Sequence, residues 1–164
     1  MLDQAMRTEA TTLLEALQRA GLWVTTAESC TGGMIAAALT AIPGSSAAIG
    51  EAYVTYSNAA KQRLLGVPEA LLAAHGAVSE PVARAMVEGA LARAGADLAL
   101  ACTGIAGPGG AVPGKPVGTV YIAAQRRGAP AQVLLNTFSG DRDAIRAATV
   151  LATLRLGLIQ LSDG

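Results

Sequence analysis

Residues 97–102, Asp-Leu-Ala-Leu-Ala-Cys, form the apolar run that most constrains how this chain can fold. Beyond its first residue the run is continuously apolar, and it is bracketed by Gly95 and Gly104. That pattern predicts a strand buried on both faces, the kind found in sheets covered by helices on each side. The flanking sequence supplies such helices. A first helix ends near Gly21 with Leu13, Leu14 and Leu17 on its buried side, and Thr31-Gly32-Gly33 opens a second that runs to about Leu39. A third covers residues 58–65, capped by Ser57 or Asn58, and a short one covers 68–74 with Pro68 at its start. Ser79-Glu80-Pro81 begins a helix that runs to about Ala94, and the last helix spans about 141–161.

Between these helices, residues 22–27, 53–56, 117–124 and 133–138 read as further strands. The turn at Arg127-Gly128 is too short for a crossover, so the last strand runs antiparallel to its neighbour. Strands alternating with helices define an α/β fold, a three-layer α/β/α sandwich around a mostly parallel sheet. At 164 residues the expectation is a single domain spanning 1–164. Aromatic residues are almost absent, so Ala, Leu, Val and Gly carry the packing and allow close approach of helix and strand.

The 12 basic and 12 acidic residues cancel and form no basic stripe, which argues against a nucleic-acid partner. Cys30, Cys102 and the lone His75 have no metal-ligand spacing, so neither metal nor cofactor is expected. The N-terminal segment carries Asp3, Glu9 and Glu15 and reads as an amphipathic helix rather than a signal peptide. Gly, Thr or charge interrupts the longest apolar runs, so no membrane span and a cytoplasmic location are expected.

In a sheet of this type ligands bind beyond the carboxyl ends of the strands. Three segments lie there: Ala27 to Gly33, Tyr56 to Lys61, and Thr103 to Gly110. Ser29 sits at a strand-to-helix junction, where the N–H groups of Cys30, Thr31, Gly32 and Gly33 can form a pocket for an oxyanion. The plainer alternative is that Ser29 only caps the helix. A serine nucleophile needs a base, and His75 ends a short exposed helix. Lys61 lies one turn into its helix, but an ordinary lysine is neutral in roughly one molecule in 10³ at pH 7. Burial can lower its pKa enough to make it a base, although most lysines are simply solvated. Tyr56 can hold the amine or relay a proton. Cys30 is a rival nucleophile, because a thiol at a helix start is acidified. The glycine-rich segment lacks both the Walker A ending and the GxGxxG spacing. Arg142 can pair with a phosphate, or equally with Asp141 or Asp143 on the surface.

Taken together, AESCTGG, YSNAAKQRLLGV, HGAVSEPVA, TGIAGPGG with KPVGTVYIA, and FSGDR resemble, in order and spacing, the CinA C-terminal domain family. The resemblance covers about Thr8 to Leu158. It implies a five-stranded mixed sheet and, in stand-alone members, metal-free hydrolysis of nicotinamide mononucleotide to nicotinic acid mononucleotide and ammonia. It implies Ser29 as nucleophile with Lys61 and Tyr56 as its partners. Thr103 and Arg142 match the family's threonine and arginine, and Asn58, Gly104 and Gly107 join them as expected substrate contacts. Gly50-Glu51-Ala52-Tyr53 departs from the usual Gly-Gly-Val-Val, and Ala59 stands where an acidic residue is common. Many members carry a molybdopterin-binding-like domain before this one, which is not expected here. A homodimer or higher homo-oligomer is expected. Two other functions remain open: a non-catalytic nucleotide-binding or regulatory domain, and an amidase for another small carboxamide.

Overall fold

The computed structural model describes residues 2–163. The first helix, α1 (Gln4–Ala20), starts where the Asp3 carboxylate accepts the Met6 N–H and stops at Gly21, whose φ of 67° is left-handed. Then come β1 (Val24–Glu28), α2 (Met34–Thr40), a 3₁₀ turn (Ser45–Ala47), β2 (Tyr53–Val54), α3 (Asn58–Leu65) and α4 (Glu69–His75). They are followed by α5 (Glu80–Ala94), β3 (Leu98–Gly104), β4 (Thr119–Arg126), β5 (Gln132–Thr137) and α6 (Arg142–Ser162). The strand order is β2-β1-β3-β4-β5. β1 pairs in parallel with both β2 and β3, whereas β4 is antiparallel to β3 and β5. Four strands therefore point one way and β4 runs against them, giving the expected mixed sheet.

The alternation in β3 explains the layers. Leu98, Leu100 and Cys102 face one core with α1, α2 and α6, while Ala99 and Ala101 face a second core with α3, α4 and α5. The leucines are fully buried, and each contributes about 1.5–3 kcal/mol from leaving water. The alanines let α5 lie close to the sheet. Close approach recurs at Gly89 on α5, where an added Cβ would collide with the Leu65 carbonyl oxygen at the end of α3. That contact matters because α3 carries Lys61.

Two elements differ from expectation. The second helix starts at Met34 rather than at Thr31, because Gly32 and Gly33 adopt φ of 59° and 101° and make a turn first. By length and composition α6 is apolar enough to cross a membrane. Its composition is accounted for by packing, since Ile145, Val150, Leu154 and Leu156 are buried in the core shared with the sheet and α1.

Candidate active site

The parallel register brings three loops to one edge of the sheet. Glu28 at the end of β1 pairs with Val54 of β2 and Cys102 of β3, so the segments after those strands emerge side by side. Ser29 follows β1 directly, and its N–H donates to the Cys102 carbonyl at 3.1 Å. Lys61 projects from the first turns of α3, whose start is set by the Ser57 hydroxyl accepting the Ala60 N–H. These two side chains meet: Lys61 Nζ lies 3.0 Å from Ser29 Oγ.

Lys61 is 1 % exposed, the most deeply enclosed charged side chain of its size in the fold. Its Nζ donates to the Thr55 carbonyl at 2.7 Å and to the Tyr56 carbonyl at 3.4 Å. No carboxylate pairs with it among the described residues. Burial therefore dominates and lowers its pKa from the ordinary lysine value, with Cys102 and Cys30 opposing weakly. A neutral amine has two hydrogens and one lone pair. In the neutral form, with the two carbonyls taking its hydrogens, the lone pair would face the Ser29 hydroxyl.

A cavity of about 270 Å³ opens over this pair, lined by Ser29, Cys30, Tyr56, Lys61, Thr103, Gly104, Gly107 and Arg142. Ala77, Val78, Ile105 and Ala106 add an apolar wall, and Gly109 and Gly110 complete the lining. The Thr103 hydroxyl donates to Ala77 at 2.9 Å, which draws the loop between α4 and α5 over the cavity. Lys115 strengthens that closure by donating to the His75 carbonyl at 2.9 Å. Arg142, the first residue of α6, donates to the Gly107 carbonyl at 2.7 Å and to the Tyr56 hydroxyl at 3.0 Å.

Other expected contacts lie elsewhere. Thr31 is fully buried beneath the site, and its hydroxyl donates to Glu28 at 2.7 Å. Gly32 faces Arg146, Gly33 faces Val54, and Asn58 is exposed on α3; none lines the cavity. The Gly32 N–H is committed to the Ser29 carbonyl at 3.0 Å. The Tyr56 phenol is 60 % exposed and bonded to Arg142, so it is the main-chain carbonyl of Tyr56 that reaches the amine. Cys30 is buried, and its hydrogen bond with Cys102 together with that burial pushes its thiol upward, away from a thiolate.

Two residues were missed by sequence reasoning. Arg146, one turn after Arg142 on α6, donates to the carbonyls of Cys30 at 3.2 Å and Thr31 at 3.0 Å. Its four-residue spacing from Arg142 is the signal that places both on one helix face. The other is Glu28, fully buried at the end of β1. Glu51 and Tyr53 lie at the far edge. Glu51 lines a wider groove of about 590 Å³ beside Trp23 and accepts from the Tyr53 hydroxyl at 2.9 Å. That groove contains no serine, cysteine or lysine.

Fold and site together define an α/β protein with a buried serine–amine pair at the carboxyl edge of a mixed sheet. The CinA C-terminal domain family matches residues 6–161, and the chain belongs to that family. It is 54% identical over 154 residues to the nicotinamide-nucleotide amidohydrolase PncC of Pseudomonas putida, covering 94% of this chain and 95% of that protein. It is 53% identical over 158 residues to a putative competence-damage inducible protein of Symbiobacterium thermophilum. This match covers 90% of the chain but 37% of the relative, so the chain spans about a third of that longer protein. Among solved structures, the competence/damage inducible protein CihA from Agrobacterium tumefaciens superposes with a TM-score of 0.95 at 43% identity, covering 99% of this chain and 98% of that one. A CinA superfamily protein from Escherichia coli gives 0.90 at 37% identity, covering 98% and 93%.

Proposed function

We propose that this chain hydrolyses the carboxamide of nicotinamide mononucleotide to nicotinic acid mononucleotide and ammonia, a step of pyridine-nucleotide salvage. The observation that carries the mechanism is the 3.0 Å approach of Lys61 Nζ to Ser29 Oγ in a buried position. Neutral Lys61 takes the hydroxyl proton as Ser29 Oγ attacks the carboxamide carbon. The tetrahedral oxyanion is held by main-chain N–H groups of the following turn, that of Cys30 foremost. Collapse breaks the C–N bond, the Lys61 proton passes to the departing nitrogen, and ammonia leaves. Water then attacks the acyl-enzyme with Lys61 again as base, releasing the carboxylic acid and regenerating Ser29.

The Gly104–Gly107 segment and Arg142 receive the ribose and phosphate, and Thr103 shapes the wall. Tyr56 acts through its carbonyl on the amine and through its phenol on Arg142. In this reading residues 1–164 work as one cytoplasmic domain, assembled as a homodimer or higher homo-oligomer. The name of the Pseudomonas putida relative supports the substrate, and the cavity chemistry supports the reaction class.

The test is ammonia release by purified wild-type, Ser29→Ala and Lys61→Ala proteins. Wild-type rates in either variant remove that residue from its role. A Cys30→Ala variant that alone loses acyl-enzyme formation moves the nucleophile to Cys30. Comparing nicotinamide, its riboside and its mononucleotide separates this substrate from other small carboxamides. Nucleotide binding without turnover identifies a regulatory domain instead.

A further inference from the structure

Glu28 is a buried carboxylate next to the nucleophile that the mechanism leaves unused. It is 0 % exposed, and no arginine or lysine pairs with it among the described residues. A carboxylate taken out of water is costly unless donors fill its lone pairs. Four donors do so. Oε1 accepts the Thr31 hydroxyl at 2.7 Å and the Ile35 N–H at 2.7 Å. Oε2 accepts the Ala36 N–H at 3.0 Å and the Thr26 hydroxyl at 3.4 Å. One side chain thus ties the end of β1 to the first turn of α2, across the turn that carries Ser29.

The same bonds decide which main-chain donors remain. The N–H groups of Ile35 and Ala36 go to Glu28, that of Met34 to Thr31, that of Gly32 to Ser29 and that of Ser29 to Cys102. Cys30, Thr31 and Gly33 are left, and of these only Cys30 lines the cavity. We infer that Glu28 is a positioning residue for catalysis: it locks the turn so that Ser29 Oγ meets Lys61 and the Cys30 N–H points at the oxyanion. This rests on the serine–lysine reading above.

Glu28→Gln tests it. Each carboxylate oxygen receives one main-chain N–H, so the amide NH₂ of glutamine must oppose a donor whichever way it is turned. Misplacement by about 1 Å can cost up to about 10²-fold in rate. The folded variant is therefore expected to lose at least about tenfold in kcat, with KM for the nucleotide within about twofold of wild type. Labelling of Ser29 by a fluorophosphonate probe should slow by the same factor, measured per folded molecule by circular dichroism. A folded Glu28→Gln protein with wild-type kcat and labelling overturns the inference. So does a loss that merely tracks the unfolded fraction. Should Glu28→Gln not fold, Thr31→Val removes one of the four donors and is expected to lower kcat and labelling together by about threefold, against no change if Glu28 only supports the fold. Wild-type protein that releases ammonia yet never labels at Ser29 overturns the serine reading itself, a result distinct from failure of the Glu28 variants alone.

Discussion

Lys61 Nζ stands 3.0 Å from Ser29 Oγ and 2.7 Å from the Thr55 carbonyl, so the amine is held between the hydroxyl and the main chain at the end of β2. A thioether of similar length would fill the space without a lone pair of comparable basicity. Lys61→Met is expected to lower kcat by about 10²–10⁴-fold, the usual contribution of a positioned base. It should stay folded, because a buried amine is exchanged for an apolar group, although the Thr55 carbonyl loses its 2.7 Å donor at a cost of about 1–3 kcal/mol. Steady-state ammonia release together with thermal denaturation checks both halves.

The pH dependence follows from the same burial. Folded Lys61 gives up its proton below the ordinary lysine value of 10.5, while the unfolded chain keeps it up to that value. Between the two the unfolded state binds more protons, so stability rises with pH across that window. Below the folded pKa both states are protonated and the burial penalty is present in full; above 10.5 it is gone. The rate should rise with pH on a limb lying below 10.5, as the neutral base is populated. Denaturant titrations at several pH values are expected to show an upward stability slope in wild type relative to Lys61→Met, the difference between the two reporting Lys61.

Much of this was legible in the sequence because it depends on local chemistry. A serine directly after an apolar strand and a lysine one turn into the next strand's helix are spacings that a parallel sheet brings together. Residues 97–102 announced both layers by themselves, since Leu and Ala alternate within an apolar run. What was hidden depends on backbone conformation and tertiary contact. Gly32 and Gly33 take left-handed φ values and turn Thr31 and both glycines away from the cavity, although the composition is the same as for an early helix start. Tyr56 reaches the amine through a carbonyl, an atom every residue has. The reversal of β4 is set by Ile105 and Gly118 bonding across the base of the glycine-rich loop, at 2.9 Å to Thr119 and 2.8 Å from Gly118 to Ile105. A loop of that length permits either strand direction.

Tyr56 and Arg142 should separate kinetically. The phenol bonds Arg142 and not the amine, so Tyr56→Phe is expected to change kcat by no more than about threefold, one neutral-to-charged hydrogen bond at an exposed site. Arg142→Ala removes a guanidinium from the cavity wall. A charge-assisted bond to the substrate phosphate contributes about 1.5–3 kcal/mol, so KM for the mononucleotide should rise by about tenfold or more. The riboside, which has no phosphate, should be turned over equally by wild type and Arg142→Ala. A large kcat loss in Tyr56→Phe with unchanged KM would return the phenol to a proton-transfer role.

Arg146 acts from behind the turn. By donating to the Cys30 and Thr31 carbonyls it braces the turn that follows Ser29. Arg146→Lys keeps the charge but cannot reach two carbonyls with a planar fork. The expected result is a fall in kcat of about tenfold with little change in KM, and a stability loss of about 1–2 kcal/mol from the unpaired carbonyls. Progress curves and chemical denaturation on the same preparation distinguish the two effects.

Gly89→Ala tests whether helix spacing sets the catalytic geometry. Alanine favours a helix interior over glycine by about 1 kcal/mol, so propensity alone predicts a stabilised α5. The added Cβ, however, meets the Leu65 carbonyl oxygen, which is main chain and cannot rotate aside. Overpacking of that kind costs about 1–3 kcal/mol and exceeds the propensity gain, so a net fall in melting temperature of about 2–6 °C is expected. Relief comes by moving α3 away from α5, and α3 carries Lys61 on its buried face. The displaced amine then loses its contact with Ser29, and kcat should drop by about tenfold while the proposed phosphate end, at Arg142 and the glycine-rich loop, keeps KM nearly constant. A Gly89→Ala protein that is less stable but fully active would mean that α3 stays in place and the strain is absorbed within α5.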